Sequence, residues 1–170
     1  MQKGLATLEI IFAIIIIGVL VKVAVPKAAQ ILDTAALDYE TKKLYSDLHF
    51  VQEMGRSSKI EAKGMGNANL LGTSDGTNGD HIILNINRTE KFYQVLRGTK
   101  SLREPHNLSY GVTVKLENSN DAIIKIYFDT DGKANINSNH ITLTSRLGKK
   151  KYIIFNSVGR MRSSLTPPND

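Results

Sequence analysis

The chain has 170 residues, 41% of them hydrophobic and 22% charged, with 13 glycines and no cysteine. That length and composition exclude wholesale disorder, a collagen-like chain and a second large core, and the missing thiols exclude disulfides, thiolate metal sites and cysteine nucleophiles. Lys and Arg number 22 against 16 Asp and Glu, a net charge of +6, and a basic balance of this size has consequences only where it is clustered.

In the first thirty residues, MQKGLATLEIIFAIIIIGVLVKVAVPKAAQ, Lys3 precedes a run from Ile10 to Val21 with no polar side chain. As a helix, Leu5 to Val25 rises about 31 Å, which matches the ~30 Å hydrocarbon thickness of a bilayer. Ile is a mediocre helix former, but in lipid only a helix satisfies its own backbone, so residues 5–26 are expected to be a membrane-spanning helix. A cleaved secretory signal fits poorly, because no small-x-small site follows the run and Glu9 stands where the apolar region begins. A carboxylate beside lipid needs a specific partner. Cleavage after Gly4 supplies one, since the new ammonium of Leu5 lies four residues before Glu9, at helical spacing. Lys22 can snorkel to the far interface, and Pro26, which lacks a backbone donor, can bend or locally melt the helix.

Residues 27–62 continue without proline, and Leu37, Leu44, Leu48 and Val51 share one helical face, so this part is expected to be the soluble half of the same helix. Residues 63–80 hold five glycines with Asn, Ser and Thr, and read as a loop without a phosphate-binding fingerprint. From 81 to 162 the chain turns to β-branched and aromatic runs: His81–Ile86, Lys91–Leu96, Leu108–Leu116, Ala122–Phe128, Ile141–Ser145 and Tyr152–Phe155. Asp131-Gly132 signals a tight turn, Leu147-Gly148-Lys149 a second connection, and 163–170 a flexible tail. The expected fold is α+β: a long N-terminal helix, membrane-spanning in its first half, packed against a C-terminal antiparallel β-sheet domain.

No catalytic, cofactor or metal site emerges from these residues. His49, His81, His106 and His140 are scattered and are read as surface or strand-edge side chains, and no GxSxG elbow occurs. Asp129-Thr130-Asp131-Gly132 opens like a calcium loop, but Lys133 follows and the distal Glu is absent, which favours a hairpin turn. The charge, by contrast, is clustered. From Ile141 onward Arg146, Lys149, Lys150, Lys151, Arg160 and Arg162 face only Asp170. Lys149, Lys150 and Lys151 are placed in the connection between two strands, and Arg160 and Arg162 after the last one. Two residues apart in extended chain, these arginines point to one side about 7 Å from each other, a reach suited to neighbouring phosphates. A solvated basic end guarding an edge strand is the alternative reading of the same residues.

Lys3-Gly4-Leu5-Ala6-Thr7-Leu8-Glu9 resembles the processing site of type IV pilins and type II secretion pseudopilins. The resemblance implies cleavage after Gly4 by a prepilin peptidase, methylation of the new N-terminus at Leu5, and a role for Glu9 in assembly with other pilin subunits. It implies single-pass insertion in the cytoplasmic (inner) membrane, with 1–4 as the leader, followed by residence in an extracytoplasmic pilus or pseudopilus filament. Ser46-Asp47-Leu48-His49-Phe50, Ile126 to Gly132 and Ile154 to Arg160 are similar to stretches of the FimT/GspH group of minor pilins and pseudopilins, although Val51-Gln52 replaces an Ala-Arg pair often found there. Gly159-Arg160-Met161-Arg162 matches a Gly-Arg-x-Arg pattern of the FimT-type pilins, which bind DNA during natural transformation. On that resemblance Gly159, Arg160 and Arg162, with Lys149, Lys150 and Lys151, are expected to bind DNA without sequence preference. The alternative is a structural pseudopilin of a secretion or pilus-priming complex that binds no DNA.

Overall fold

The computed structural model describes residues 3–64, 82–117, 119–129, 131–136, 140–156 and 158–168, with side-chain surroundings inside the helix for 8–57. Among the described residues one helix, α1 (Lys3–Gly64), leads into nine strands. The layout is α+β, with the long apolar helix followed by antiparallel sheets. The Gly-rich segment lies outside the described residues, apart from its first two, which continue α1.

The helix runs unbroken through Pro26. Its most apolar 18-residue window has a mean hydropathy of 2.8, and none of that window is buried. It is long and apolar enough to cross a membrane. Every described residue from Leu8 to Leu32 is exposed, and burial begins at Asp33. Beyond that point Leu37, Leu44, Leu48 and Val51 are buried together, as their spacing predicts. Each such side chain contributes roughly 1.5–3 kcal/mol of burial.

The strands form two sheets where a single one was expected. The first holds β1 (Ile82–Asn87), β2 (Phe92–Arg97), β3 (Lys100–Ser101), β4 (His106–Asn107) and β6 (Ile123–Ile126), in the order β3-β2-β1-β6, with β4 also on β2. The second holds β5 (Thr113–Leu116), β7 (His140–Thr144), β8 (Lys150–Phe155) and β9 (Met161–Ser164), in the order β5-β7-β8-β9. All pairings are antiparallel. The alternating pattern of β1, with Ile82, Leu84 and Ile86 inward, is that of a sheet with one face on the core. Two of the predicted boundaries move. Lys150 and Lys151 belong to β8, and Arg162 lies inside β9, a paired edge strand that carries the chain into the segment read as a tail.

The helix holds the sheets through buried acids as well as leucines. Asp33, Glu40 and Asp47 are 5%, 0% and 2% exposed, and their seven-residue spacing keeps them on one face of α1, within about 20° per step. Asp33 accepts from Ser145 Oγ at 2.6 Å and the Leu147 N–H at 3.1 Å. Glu40 accepts from the Ser109 N–H and Oγ and meets His106 Nε2 at 2.8 Å. Asp47 accepts from Tyr93 Oη at 3.1 Å, Lys43 Nζ at 3.2 Å and Arg103 Nη1. The Arg103 guanidinium also lies 4.0 Å from the centre of the Phe50 ring. Each carboxylate thus captures a different loop, and a buried charge with several donors avoids the cost of an unpaired one.

Burial and the Asp47 carboxylate together push the Tyr93 phenol well above its ordinary value of 10.0. The folded state therefore favours the neutral phenol. That stabilisation is complete below pH 10 and is lost as pH rises beyond it, because only the unfolded chain ionises readily there. Tyr93→Phe is expected to cost about 1 kcal/mol at pH 8, from the lost hydrogen bond, and to flatten the fall in stability between pH 10 and 11. Urea unfolding of the full chain in mild detergent at pH 8 and pH 11 measures both, and equal losses in the two proteins would remove Tyr93 as the cause.

Candidate functional site

Two of the basic residues singled out in sequence, Lys149 and Arg160, close turns built to one pattern, and a third turn shares it. At Asp129 to Lys133, the Asp129 N–H donates to the Lys133 carbonyl, the Gly132 N–H donates to the Asp129 carbonyl, and Asp129 Oδ1 accepts from the Lys133 N–H at 2.7 Å. Asn156 to Arg160 repeats all three bonds, the last again at 2.7 Å. Ser145 to Lys149 repeats them with a hydroxyl in place of the amide oxygen. Gly132, Gly159 and Gly148 have φ of 83°, 78° and 86°, the left-handed conformation that a glycine bulge in a hairpin requires. In each turn a Lys or Arg follows the glycine. Asp129 Oδ1 accepts a second bond, from the Asp131 N–H, so this oxygen is occupied as a turn cap. Among the described residues no group of three His, Asp or Glu side chains is gathered for a metal ion.

Two of these turns press on each other. A Cβ at Gly159 would lie 2.1 Å from the Gly132 carbonyl oxygen. The late part of α1 forms the seat below them. Gln52 Nε2 donates to the Gly132 carbonyl at 2.7 Å and to the Gly159 carbonyl, one amide using both of its hydrogens. Gly55 admits the Phe128 carbonyl, and the Arg56 guanidinium lies over Gly132. Gly159 is itself buried. Its place in the Gly-Arg-x-Arg pattern is thus explained by backbone approach.

Arg160 and Arg162 are both exposed and flank the buried Met161. They emerge on the same side of β9 and make no ion pair among the described residues. Lys133 adds exposed positive charge at the paired turns, Arg56 is exposed there in an ion pair with Glu53, and neither was assigned a role in sequence. The repetition of Phe-Asx-x-x-Gly followed by a base at 128–133 and 155–160 is the signal that brings Lys133 in.

The lysines are elsewhere. Lys149 Nζ donates to Thr34 Oγ1 at 2.6 Å, and Lys151 Nζ pairs with Asp38 Oδ1 at 2.6 Å. Lys150 is exposed at the start of β8. Since Thr34 and Gln52 are about 27 Å apart along an α-helix, and β8 adds about 20 Å between its two turns, the linear cluster of six bases resolves into two groups at opposite ends of the soluble part.

No family model, curated protein or solved structure matches the chain. The residues tied to the N-terminal processing reading divide likewise. Gly4 and Leu5 lie in helical backbone within α1, with the Leu5 side chain outside the described set, while Glu9 is exposed among apolar neighbours. His106 and His140 open β4 and β7 and turn inward, His106 to Glu40 and His140 to Glu117 at 2.9 Å. His49 is half-buried, and His81 lies outside the described residues.

The contact between the turns generates a sharp expectation. Gly159→Ala combines an atomic overlap with an unfavourable φ and is expected to cost roughly 3 kcal/mol or more. Gly98→Ala, at φ 59° with no atom within 4 Å of the added Cβ, should cost only about 1 kcal/mol. Thermal unfolding of both variants tests the assignment, and equal shifts would show that the turns do not depend on close approach.

Proposed function

We propose that this chain is a minor type IV pilin, anchored in the inner membrane before it joins a filament, whose Arg160 and Arg162 capture DNA. The observation that carries the reading is the helix α1, exposed from Leu8 to Leu32, without a polar side chain from Ile10 to Val21, and docked under two sheets from Asp33. An apolar helical stretch of this length with no cover in its own fold requires lipid or neighbouring subunits around it. Glu9 at the start of that surface then needs a cationic partner, and the ammonium at Leu5 after removal of residues 1–4 supplies it. The DNA assignment is supported by two exposed arginines two residues apart, Arg160 just before β9 and Arg162 within it, with Lys133 nearby and no ion pair to either arginine among the described residues. Arginine forks suit phosphate oxygens, and contacts of this kind bind without reading sequence.

A second reading, a structural pseudopilin that binds no DNA, is favoured by the engagement of Lys149 with Thr34 and of Lys151 with Asp38. Those two lysines serve the fold first.

Mass spectrometry of protein extracted from membranes is expected to find an N-terminus at Leu5, and an intact Met1 would reject the pilin reading. Glu9→Ala should leave that cleavage unchanged and lower the amount recovered in sheared filaments; recovery equal to wild type would remove the ion-pair role of Glu9.

For DNA, Arg160→Gln with Arg162→Gln should weaken duplex binding and reduce the slope of log affinity against log salt by about 1.8, from ~0.9 per phosphate contact. Fluorescence anisotropy of the full chain in detergent at matched salt reads both quantities. Unchanged slopes would refute the arginine assignment, and a folded wild type that binds no DNA at low salt would leave the structural pseudopilin as the better reading.

A further inference from the structure

The turn Ser145 to Lys149 is folded down against the part of α1 that leaves the apolar stretch. Asp33 holds it through Ser145 Oγ and the Leu147 N–H, and Lys149 Nζ reaches Thr34. Thr34 lies nine residues beyond Val25, about 13 Å along the helix, and headgroups occupy roughly the first 5–7 Å outside the hydrocarbon. The turn therefore hangs within a Debye length, about 8–10 Å, of the surface of any bilayer that α1 spans.

Exposed cations outnumber the acids at this junction. Lys27, Arg146, Lys149 and Lys150 are exposed, and the neutral Thr34 hydroxyl leaves the Lys149 charge uncompensated. The nearby acids are taken: Asp33 is buried under the turn and Asp38 pairs with Lys151. Between turn and helix runs an open groove of about 510 Å3, with Lys27, Ile31, Thr34, Lys149 and the Lys151-paired Asp38 among its lining residues. Ile31 is 68% exposed in it. A groove with cations along its rim and an apolar side chain in its floor, set just above an apolar helix, has the character of a lipid headgroup and its glycerol backbone.

We infer that this junction is a basic collar that gathers the phosphates of anionic lipids, and that Lys149 and Lys150 serve the membrane surface while Arg160 and Arg162 serve DNA. The collar rests on the reading of α1 as membrane-spanning. It acts while the subunit is still in the bilayer, holding the turn and its two sheets against the surface by attraction to phosphate.

The cysteine-free sequence allows a clean test. Leu147→Cys, at a position 51% exposed on the turn, takes one fluorescent donor in the full chain reconstituted in phosphatidylcholine bilayers. Trace acceptor-labelled phosphatidylglycerol is compared with trace acceptor-labelled phosphatidylcholine. The expected result is energy transfer at least twofold higher to the anionic lipid. That ratio should fall most of the way to one in Arg146→Gln with Lys150→Gln, which leaves the Lys149 and Lys151 tethers in place, or in about 0.5 M salt. Arg160→Gln with Arg162→Gln should preserve it, and the collar variant should keep its affinity for DNA.

A ratio of one in wild-type protein that floats with the bilayer overturns the collar alone. Protein that does not float with the bilayer overturns the membrane reading and the collar with it. An equal loss of lipid enrichment in the Arg160 and Arg162 variant would mean that total charge attracts the lipid, and would overturn the localised site. Loss of DNA affinity in the collar variant comparable to that in the arginine variant would reject the division of labour.

Discussion

A helix that must carry two sheets on one flank needs more than an apolar stripe, because loops crossing it bring backbone N–H groups, hydroxyls and cations that lose water on docking. Here the helix answers with acceptors at every second turn. Asp33, Glu40 and Asp47 lie beside the Leu37, Leu44 and Val51 stripe, and each binds a segment from a different part of the chain. Gln52 ends the series with the opposite chemistry, donating to two carbonyls. The arrangement fixes the height of each loop along the helix, since a slip by one turn would leave both a buried carboxylate and its donors unmatched, at a cost of several kcal/mol per site.

That rail determines where the charge of the molecule goes. Asp33 draws one turn down toward the apolar end, and Gln52 seats a pair of turns at the other end. The same five-residue turn, closed by a side-chain oxygen and a left-handed glycine, puts a base at its exit each time. Two of its three copies share the level of Gln52 and the third docks at Asp33, so position on the helix, more than turn chemistry, decides where each base emerges.

Much of the architecture was legible in the sequence. The apolar run, the buried face of Leu37, Leu44, Leu48 and Val51, and the Asp131-Gly132 and Gly148 turns follow from periodicity and turn chemistry. The second sheet was not legible, because strands read one at a time do not reveal which edges meet, and β3, β4 and β9 are short or polar. Arg162 reads as lying after the last strand for that reason: only Met161 of its strand reaches the core. The buried acids were hidden too. An Asp or Glu on a helix is usually solvated, and only the loops that close over Asp33, Glu40 and Asp47 distinguish them from Glu53, which stays exposed. The basic cluster misled through its compactness in sequence, since a strand running between two groups of charge separates them by its full length.

Pro26 has a mechanical meaning in this setting. It contributes no N–H, so the carbonyl of Lys22 has no helical donor four residues on, and the turn between them is held by fewer bonds than those on either side. It lies ahead of Asp33, where the first loop is gripped. Under tension along the chain this weak turn yields before the docked sheets do, so the helix lengthens there first, as a compliant joint between the apolar stretch and the sheets.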